Sequence, residues 1–203
     1  MKRYFMAKDR IHVVFTIGDD YAQHLGVALA SLSCSNPKHN LLIHVISDIT
    51  SGSKKKKLQK ALSQPNHELI FYPIGDLSGY QLKIDGHAST ANYYRLFLTE
   101  LLPRHIEKVL YLDADIVALQ NLSELWNIDL HDKALAAVCH QNPERSSTLG
   151  LKIDKYFNSG VMLINLDYWF SNNVADRFRS FISTNQKLIK YWDQDVLNAT
   201  LKD

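Results

Sequence analysis

A chain of 203 residues suits a single domain with a sizeable core. Hydrophobic residues make up 46% and charged residues 22%, an ordinary globular composition, and the formal net charge of +2 is too small to argue for a nucleic-acid partner. No apolar run approaches the ~18 residues of a membrane span, and the basic start Met1-Lys2-Arg3 leads into no apolar stretch of signal-peptide length, so a cytosolic protein is expected.

In chain order, Ile11–Ile17 is short and rich in β-branched residues, which predicts a buried strand. Gly18-Asp19-Asp20 breaks it and offers an N-cap; Ala22, Leu25, Gly26, Leu29 and Leu32 then follow at helical spacing to about Ser33. A second strand is expected over Leu41–Ser47, a helix over Thr50–Gln64, and a third strand over Leu69–Tyr72, stopped by Pro73. The strand–helix alternation predicts an α/β fold with a mostly parallel sheet between helices, whose ligands sit beyond the carboxyl ends of the strands. A helix follows from Thr90 to Leu102, with Tyr93, Leu96, Phe97 and Leu101 on one face. Leu135–Cys139 and Val161–Leu166 are further strands, Asp167 to about Ile189 is mostly helical, and Asp193 opens a last helix. No repeat or linker divides the chain, so residues 1–203 read as one domain.

The run Lys108-Val109-Leu110-Tyr111-Leu112-Asp113-Ala114-Asp115 ends an apolar strand on two carboxylates. Residues two apart on a strand share a face, so Asp113 and Asp115 are expected to point together. Two such charges repel unless a cation sits near them, which suggests a divalent-metal site; a polar turn using Asp as a turn residue explains the same pattern. Three further stretches carry polar chemistry. Phe157-Asn158-Ser159-Gly160 enters an apolar strand with a glycine that permits close backbone approach and an amide suited to a hydroxylated ligand; a turn before a core strand is the plainer account. Trp192-Asp193-Gln194-Asp195 opens a helix, where capping explains one acid but not the tryptophan and glutamine. Ser89-Thr90-Ala91-Asn92-Tyr93-Tyr94-Arg95 offers a guanidinium for phosphate or for an acid of the metal site, or simply a surface arginine. The lysines 54–57 read as a solvated helix face, with attraction to anionic lipid as the functional alternative. Cys34 and Cys139 form no zinc or Cys-x-x-Cys spacing and are expected as buried, reduced thiols, one disulfide being the alternative. Asn121 and Asn198 begin Asn-x-Ser/Thr matches that a cytosolic chain would leave unglycosylated.

Taken in order, Val14–Tyr21, Asn92–Arg95, Leu110–Asp115, Phe157–Gly160 with Leu163–Leu166, and Asp193–Asn198 resemble glycosyltransferase family eight, retaining enzymes that use nucleotide sugars, which implies a GT-A (Rossmann-like) fold with a mostly parallel mixed sheet flanked by helices. The resemblance lies nearest the bacterial lipopolysaccharide glucosyl- and galactosyltransferases. It implies that Asp19, Asp20 and Tyr21 hold uracil and ribose. It implies that Asp113 and Asp115 bind Mn²⁺ (or Mg²⁺), that the Asp113-Ala114-Asp115 turn contacts the donor, and that Arg95 lies near donor sugar and metal. Asn158 would bind the sugar, and Asp193 and Gln194 would lie beneath the anomeric carbon. UDP-glucose or UDP-galactose is the implied donor and a glycan or glycolipid the acceptor, with a peripheral place at the inner membrane face as a further implication. Two departures stand out. Gly18 and Asp20 occupy the register where many members carry an acid followed by Asn. The family's third metal ligand is a histidine in a later His-x-x-Gly-x-x-Lys-Pro-Trp segment, whereas the last histidine here is His140. A chain ending at Asp203 is therefore expected to bind metal weakly and turn over little, and a non-catalytic UDP-sugar-binding module, a metal-dependent phosphoesterase and a self-glucosylating starter protein are the rival expectations. The sequence sets no oligomeric state.

Overall fold

A computed structural model of the chain describes residues 10–49, 51–74, 82 and 90–202. The expectations for the N-terminus, Thr50 and Ser89 lie outside the described residues. The elements are β1 (Arg10–Ile17), α1 (Ala22–Ser35), β2 (Asn40–Ser47), α2 (Gly52–Lys60), β3 (Glu68–Pro73), α3 (Leu98–Leu101), β4 (Lys108–Leu112), α4 (Ser123–Trp126), β5 (Leu135–Cys139), α5 (Pro143–Thr148), β6 (Phe157–Asn165), α6 (Leu166–Ser171), α7 (Val174–Thr184) and α8 (Trp192–Thr200). The six strands form one sheet in the order β3-β2-β1-β4-β6-β5. β1 pairs in parallel with β2 and β4, and β2 with β3. β6 reverses the direction, pairing antiparallel with β4 and β5.

That reversal positions the site. Because β6 runs against β4, its first residues lie beside the last residues of β4, and Leu112 faces Val161 across the ladder. The Asn158–Gly160 step is thereby delivered to the carboxyl end of β1 and β4.

The sheet separates two apolar clusters, sorted by strand alternation. Val14, Val109, Tyr111, Met162 and Ile164 face a layer that includes Tyr93, Leu96, Trp169, Phe178 and Val196. Val13, Phe15, Ile43, Leu110 and Leu112 face α1 and α2 through Leu25, Leu29, Leu32 and Leu58. Among the described residues, no helix is long and apolar enough to cross a membrane. His12 Nδ1 and His44 Nε2 lie 3.0 Å apart and His44 Nδ1 lies 3.0 Å from the Tyr72 hydroxyl, a polar ladder running across β1, β2 and β3. Burial, with neighbouring positive groups, lowers the two histidines to about 4 and about 3.

Several predicted elements are corrected. The second helix stops at Lys60 rather than Gln64, because Ser33 Oγ accepts the backbone N–H groups of Ser63 (2.9 Å) and Gln64 (3.2 Å) that another helical turn would use. Residues 90–97 wind as a 3-10 helix before the single turn of α3. The helical stretch after β6 is split at Asn173, whose φ of +48° is left-handed, a conformation Asn tolerates better than most residues. α8 starts at Trp192, one residue early. Cys34 and Cys139 are exposed and free rather than buried: Cys34 sits on the solvent side of α1, and Cys139 at the irregular end of edge strand β5, where its Sγ donates to the Asp154 carbonyl.

Candidate functional site

β4 ends at Leu112, so Asp113 and Asp115 lie in the turn beyond the strand and do not share a strand face. The Asp113 N–H makes a last rung to the Gly160 carbonyl at 2.8 Å. Ala114 then tucks its side chain into the core, leaving Asp113 partly buried and Asp115 exposed. The two carboxylates therefore differ: one is held, the other faces solvent.

Asp113 is held by its neighbours. Tyr111, two residues back on the strand, donates its hydroxyl to Asp113 Oδ1 at 3.1 Å, and Thr16 Oγ1 lies 3.0 Å from that hydroxyl. With Tyr111 donating forward, Thr16 is the donor behind it. Arg95 Nη2 lies 3.1 Å from Asp113 Oδ1.

Arg95 is the hub. It is 7% exposed, against the surface-arginine alternative, because six of the eight residues in its 3-10 helix are buried. Its Nη1 donates to the Ser159 carbonyl (3.0 Å), its Nε lies 3.1 Å from Asp193 Oδ2, and its guanidinium stacks 4.3 Å over the Tyr111 ring. Burial opposes its charge, but Asp193, Tyr111 and Asp113 outweigh that and raise its pKa. Asp193 also accepts Ser159 Oγ at 3.1 Å. Burial pushes its carboxyl up to about 6, against the pull of Arg95. Burial likewise raises the Tyr111 phenol well above its usual value, keeping it neutral as a donor.

Gly160 is required by space. A Cβ there would lie 2.7 Å from Asp113 Oδ2 and 3.0 Å from Asn158 Oδ1, and both groups are tied: Asp113 to Arg95 and Tyr111, Asn158 Oδ1 to the Gly160 N–H at 2.9 Å.

Of these groups, Arg95 and Asp113 line a cavity of about 290 Å³, together with Thr16, Asp20, Tyr21, Ala114 and Asp115 among others. It thus unites most of the acidic turn after β1 with the aspartate turn after β4. Asp19 stands apart, its carboxylate paired with Lys54 of α2. Lys55 lies over the Phe71 ring, while Lys56, Lys57 and Lys60 are exposed. Asn158 and Gln194 meet at 3.4 Å on the far side of Ser159. The Gln194 amide is oriented without ambiguity, since its Oε1 accepts the Ser159 backbone N–H (3.1 Å) and its Nε2 therefore donates to Tyr156 (3.0 Å).

Sequence reasoning missed four contributors. Tyr111 was readable, since a residue two before Asp113 on a strand shares its side. Ser159 lay inside a singled-out motif without a role. Arg145 and Tyr156 come from segments with no pattern, yet both bind the buried Asp195 carboxylate, at 2.6 and 2.8 Å.

Carboxylates are hard oxygen ligands of the kind that suit Mg²⁺ and Mn²⁺. Among the described residues no group of three or more His, Cys, Asp or Glu could hold a metal ion. The pair fits the usual arrangement for such ions, in which one or two carboxylates share the cation with substrate phosphates and water.

A mixed sheet between helical layers, with an acidic crevice at the carboxyl ends of its strands, is here the GT-A fold. The chain matches the model of glycosyl transferase family 8 over residues 12–203 and belongs to that family. It is 30% identical to General stress protein A of Bacillus subtilis, over 98% of this chain and 72% of that protein. It is 28% identical to lipopolysaccharide 1,2-glucosyltransferase of Escherichia coli K12, over 95% of this chain and 58% of that protein. The crystal structure of the galactosyltransferase LgtC, with donor and acceptor sugar analogues, aligns at TM-score 0.87 and 28% identity, covering 95% of this chain and 71% of that one. The chain therefore spans about three-fifths of the length of its lipopolysaccharide relative.

Proposed function

We propose that the chain forms the donor-binding part of a retaining transferase that moves glucose or galactose from its UDP conjugate to a glycan, with lipopolysaccharide core as the acceptor. The observation that carries the reading is Arg95, buried between Asp113 and Asp193 at the floor of a cavity formed where β1 and β4 end.

Asp113 and Asp115 would hold the divalent cation, Mn²⁺ or Mg²⁺, which supplies positive charge against the donor diphosphate when bound. Asp20 and Tyr21 hold the nucleoside end of the cavity. Arg95 fixes the relative position of Asp113 and Asp193, so that donor binding and the transfer centre are set by one rigid group. Asp193 places negative charge near the anomeric carbon as positive charge develops there, a preorganised electrostatic contribution. Its Arg95 and Ser159 contacts hold the carboxylate in place. Gln194 is a poor nucleophile, and its amide oxygen is engaged by the Ser159 N–H. That favours same-face attack, with the leaving diphosphate helping to take the acceptor proton, over a covalent intermediate on this residue. Asn158 reaches the sugar hydroxyls, and Gln194 steadies the strand that carries it.

The test is UDP release from UDP-glucose and UDP-galactose with Mn²⁺ and a lipopolysaccharide core acceptor. Acceptor-dependent release supports the reading, and release of inorganic phosphate instead points to a phosphoesterase. A second reading, a binding module without turnover, is favoured by the two-carboxylate donor set and is met by UDP-sugar binding without release of either product. The exposed Lys56, Lys57 and Lys60 suit a peripheral contact with anionic lipid, which vesicle co-sedimentation at low and high salt tests.

A further inference from the structure

Trp192 combines three features that the catalytic reading does not use. Its φ is +40°, the left-handed region, which is strained for a bulky side chain. It lines the 290 Å³ cavity. It is half-buried, packed against the apolar cluster that contains Tyr93 and Val196.

The backbone on both sides explains why the strain persists. Asp195 Oδ2 accepts the N–H groups of Lys190 and Tyr191, each at 2.7 Å, fixing the approach to α8. Asp193 is pinned on the other side by Arg95 and Ser159. The chain must turn between these clamps, and the turn is left-handed. Gly would make it at no steric cost, and Asn at little. A tryptophan held there at a cost, in contact with a cavity, calls for a use of its side chain.

We propose that the Trp192 indole is a specificity-determining wall of the donor-sugar subsite, packing against the C–H face of the transferred hexose. The inference rests on the nucleotide-sugar reading above. The cavity has a second aromatic wall, Tyr21, which follows β1 at the end assigned to the nucleoside. Trp192 precedes Asp193, the group assigned to the anomeric carbon, so the indole belongs to the sugar end. Pyranose rings present contiguous C–H groups to aromatic faces, and a rigid ring with two χ angles gives that contact at low entropic cost.

Calorimetric titration with UDP, UDP-glucose and UDP-galactose, in Mn²⁺, is run on the wild-type chain and on Trp192→Phe, Trp192→Ala and Trp192→Gly, with thermal melting of each. In Ala and Gly alike, affinity for the preferred UDP-hexose is expected to fall roughly tenfold while affinity for UDP stays within about twofold, and Phe retains most of the hexose contribution. The Gly variant is expected to melt above the Ala variant, because Gly relieves the left-handed strain. Equal losses for UDP and UDP-hexose, or none for the hexose, overturn the inference while leaving the nucleotide-sugar reading intact. A wild-type chain that binds neither UDP nor UDP-hexose overturns both together.

Discussion

Asp193 and Asp195 stand two residues apart on α8, both buried, in opposite circumstances. Asp195 is saturated: Arg145 reaches it through Nη2 (2.6 Å) and Nε (3.3 Å), Tyr156 donates to Oδ1 (2.8 Å), and two backbone N–H groups donate to Oδ2. Asp193 has the Ser159 hydroxyl and the Arg95 guanidinium, and burial holds its carboxyl up at about 6. A saturated buried carboxylate organises structure. One that stays partly uncompensated, beside a cavity, is free to respond to a reacting group. Their shared motif thus divides into a strut, Asp195, and a less compensated carboxylate, Asp193, to which the proposed function gives the transfer centre. Asn198 belongs with the strut, its side chain bonding both the N–H and carbonyl of Phe157 and so tying α8 to the start of β6.

The largest expected effect falls on the strut. Asp195→Ala leaves Arg145 buried without its carboxylate and frees two backbone donors, which costs about 3–5 kcal/mol, or roughly 6–20 °C in Tm for a chain of this length. A melt within about 2 °C of wild type breaks the distinction. Asp193→Asn is expected to reverse the pattern: Arg95 keeps Asp113 and the Ser159 carbonyl, the fold survives, and turnover falls on the order of 100-fold or more.

Asp193 also has a pH signature of its own. The folded-state pKa of Asp193 lies above its unfolded value of 3.8, so between about pH 4 and pH 6 the folded chain holds a proton that the unfolded chain has released. Its contribution to stability is therefore present below pH 4 and is lost as pH rises through about 6, on the order of 3 kcal/mol at most. The stability of wild type relative to Asp193→Asn should decline over that window in urea titrations, and a flat or rising difference contradicts the raised pKa. His12 and His44 act in the opposite sense. Their lowered pKa values favour the folded state above about pH 6.5 and weaken it as pH falls, in both proteins alike, so the comparison cancels them.

A smaller effect tests the aspartate turn, which Arg95 ties to Asp193. In Gly160→Ala the new methyl would press on Asp113 Oδ2, and the carboxylate cannot yield without disturbing Arg95 and Tyr111. Divalent-cation-dependent UDP binding should weaken about tenfold, with metal-independent binding nearly unchanged. Equal loss of both would place the damage in the strand instead.

Most of the architecture was legible because it follows from alternation and punctuation: each strand came within a few residues, and the parallel half of the sheet followed from strand–helix order. The reversal at β6 was not, since the parity of Phe157–Asn165 is the same in either direction. The 3-10 winding of residues 90–97 was hidden for a related reason, as apolar spacing of three or four residues fits both helix types. Around the cavity, the motifs that the fold brings together were legible, but the different ways in which their acids are held were not. Whether an aspartate is saturated depends on partners such as Arg145, 50 positions away in sequence, and on a tyrosine outside every motif.

The smallest expected difference separates two other neighbouring acids, Asp19 and Asp20, which the family resemblance treats together. Asp20 lines the cavity beside Tyr21, whereas the Asp19 carboxylate is engaged by Lys54. Both partners of that ion pair are nearly half exposed, with side chains 43% and 47% accessible, so the pair contributes at most about 1 kcal/mol and solvent competes for it. Two outcomes are thus distinguishable by UDP titration. If the ion pair persists with donor bound, Asp20→Ala weakens binding about threefold to tenfold, while Asp19→Ala and Lys54→Ala each change it by no more than about twofold. If Asp19→Ala proves the more damaging, the carboxylate must leave Lys54 on binding, and Lys54→Ala should then tighten UDP binding slightly by removing the competitor. A pair of acids that looks equivalent in sequence would in that case be divided by occupancy, where Asp193 and Asp195 are divided by the fold.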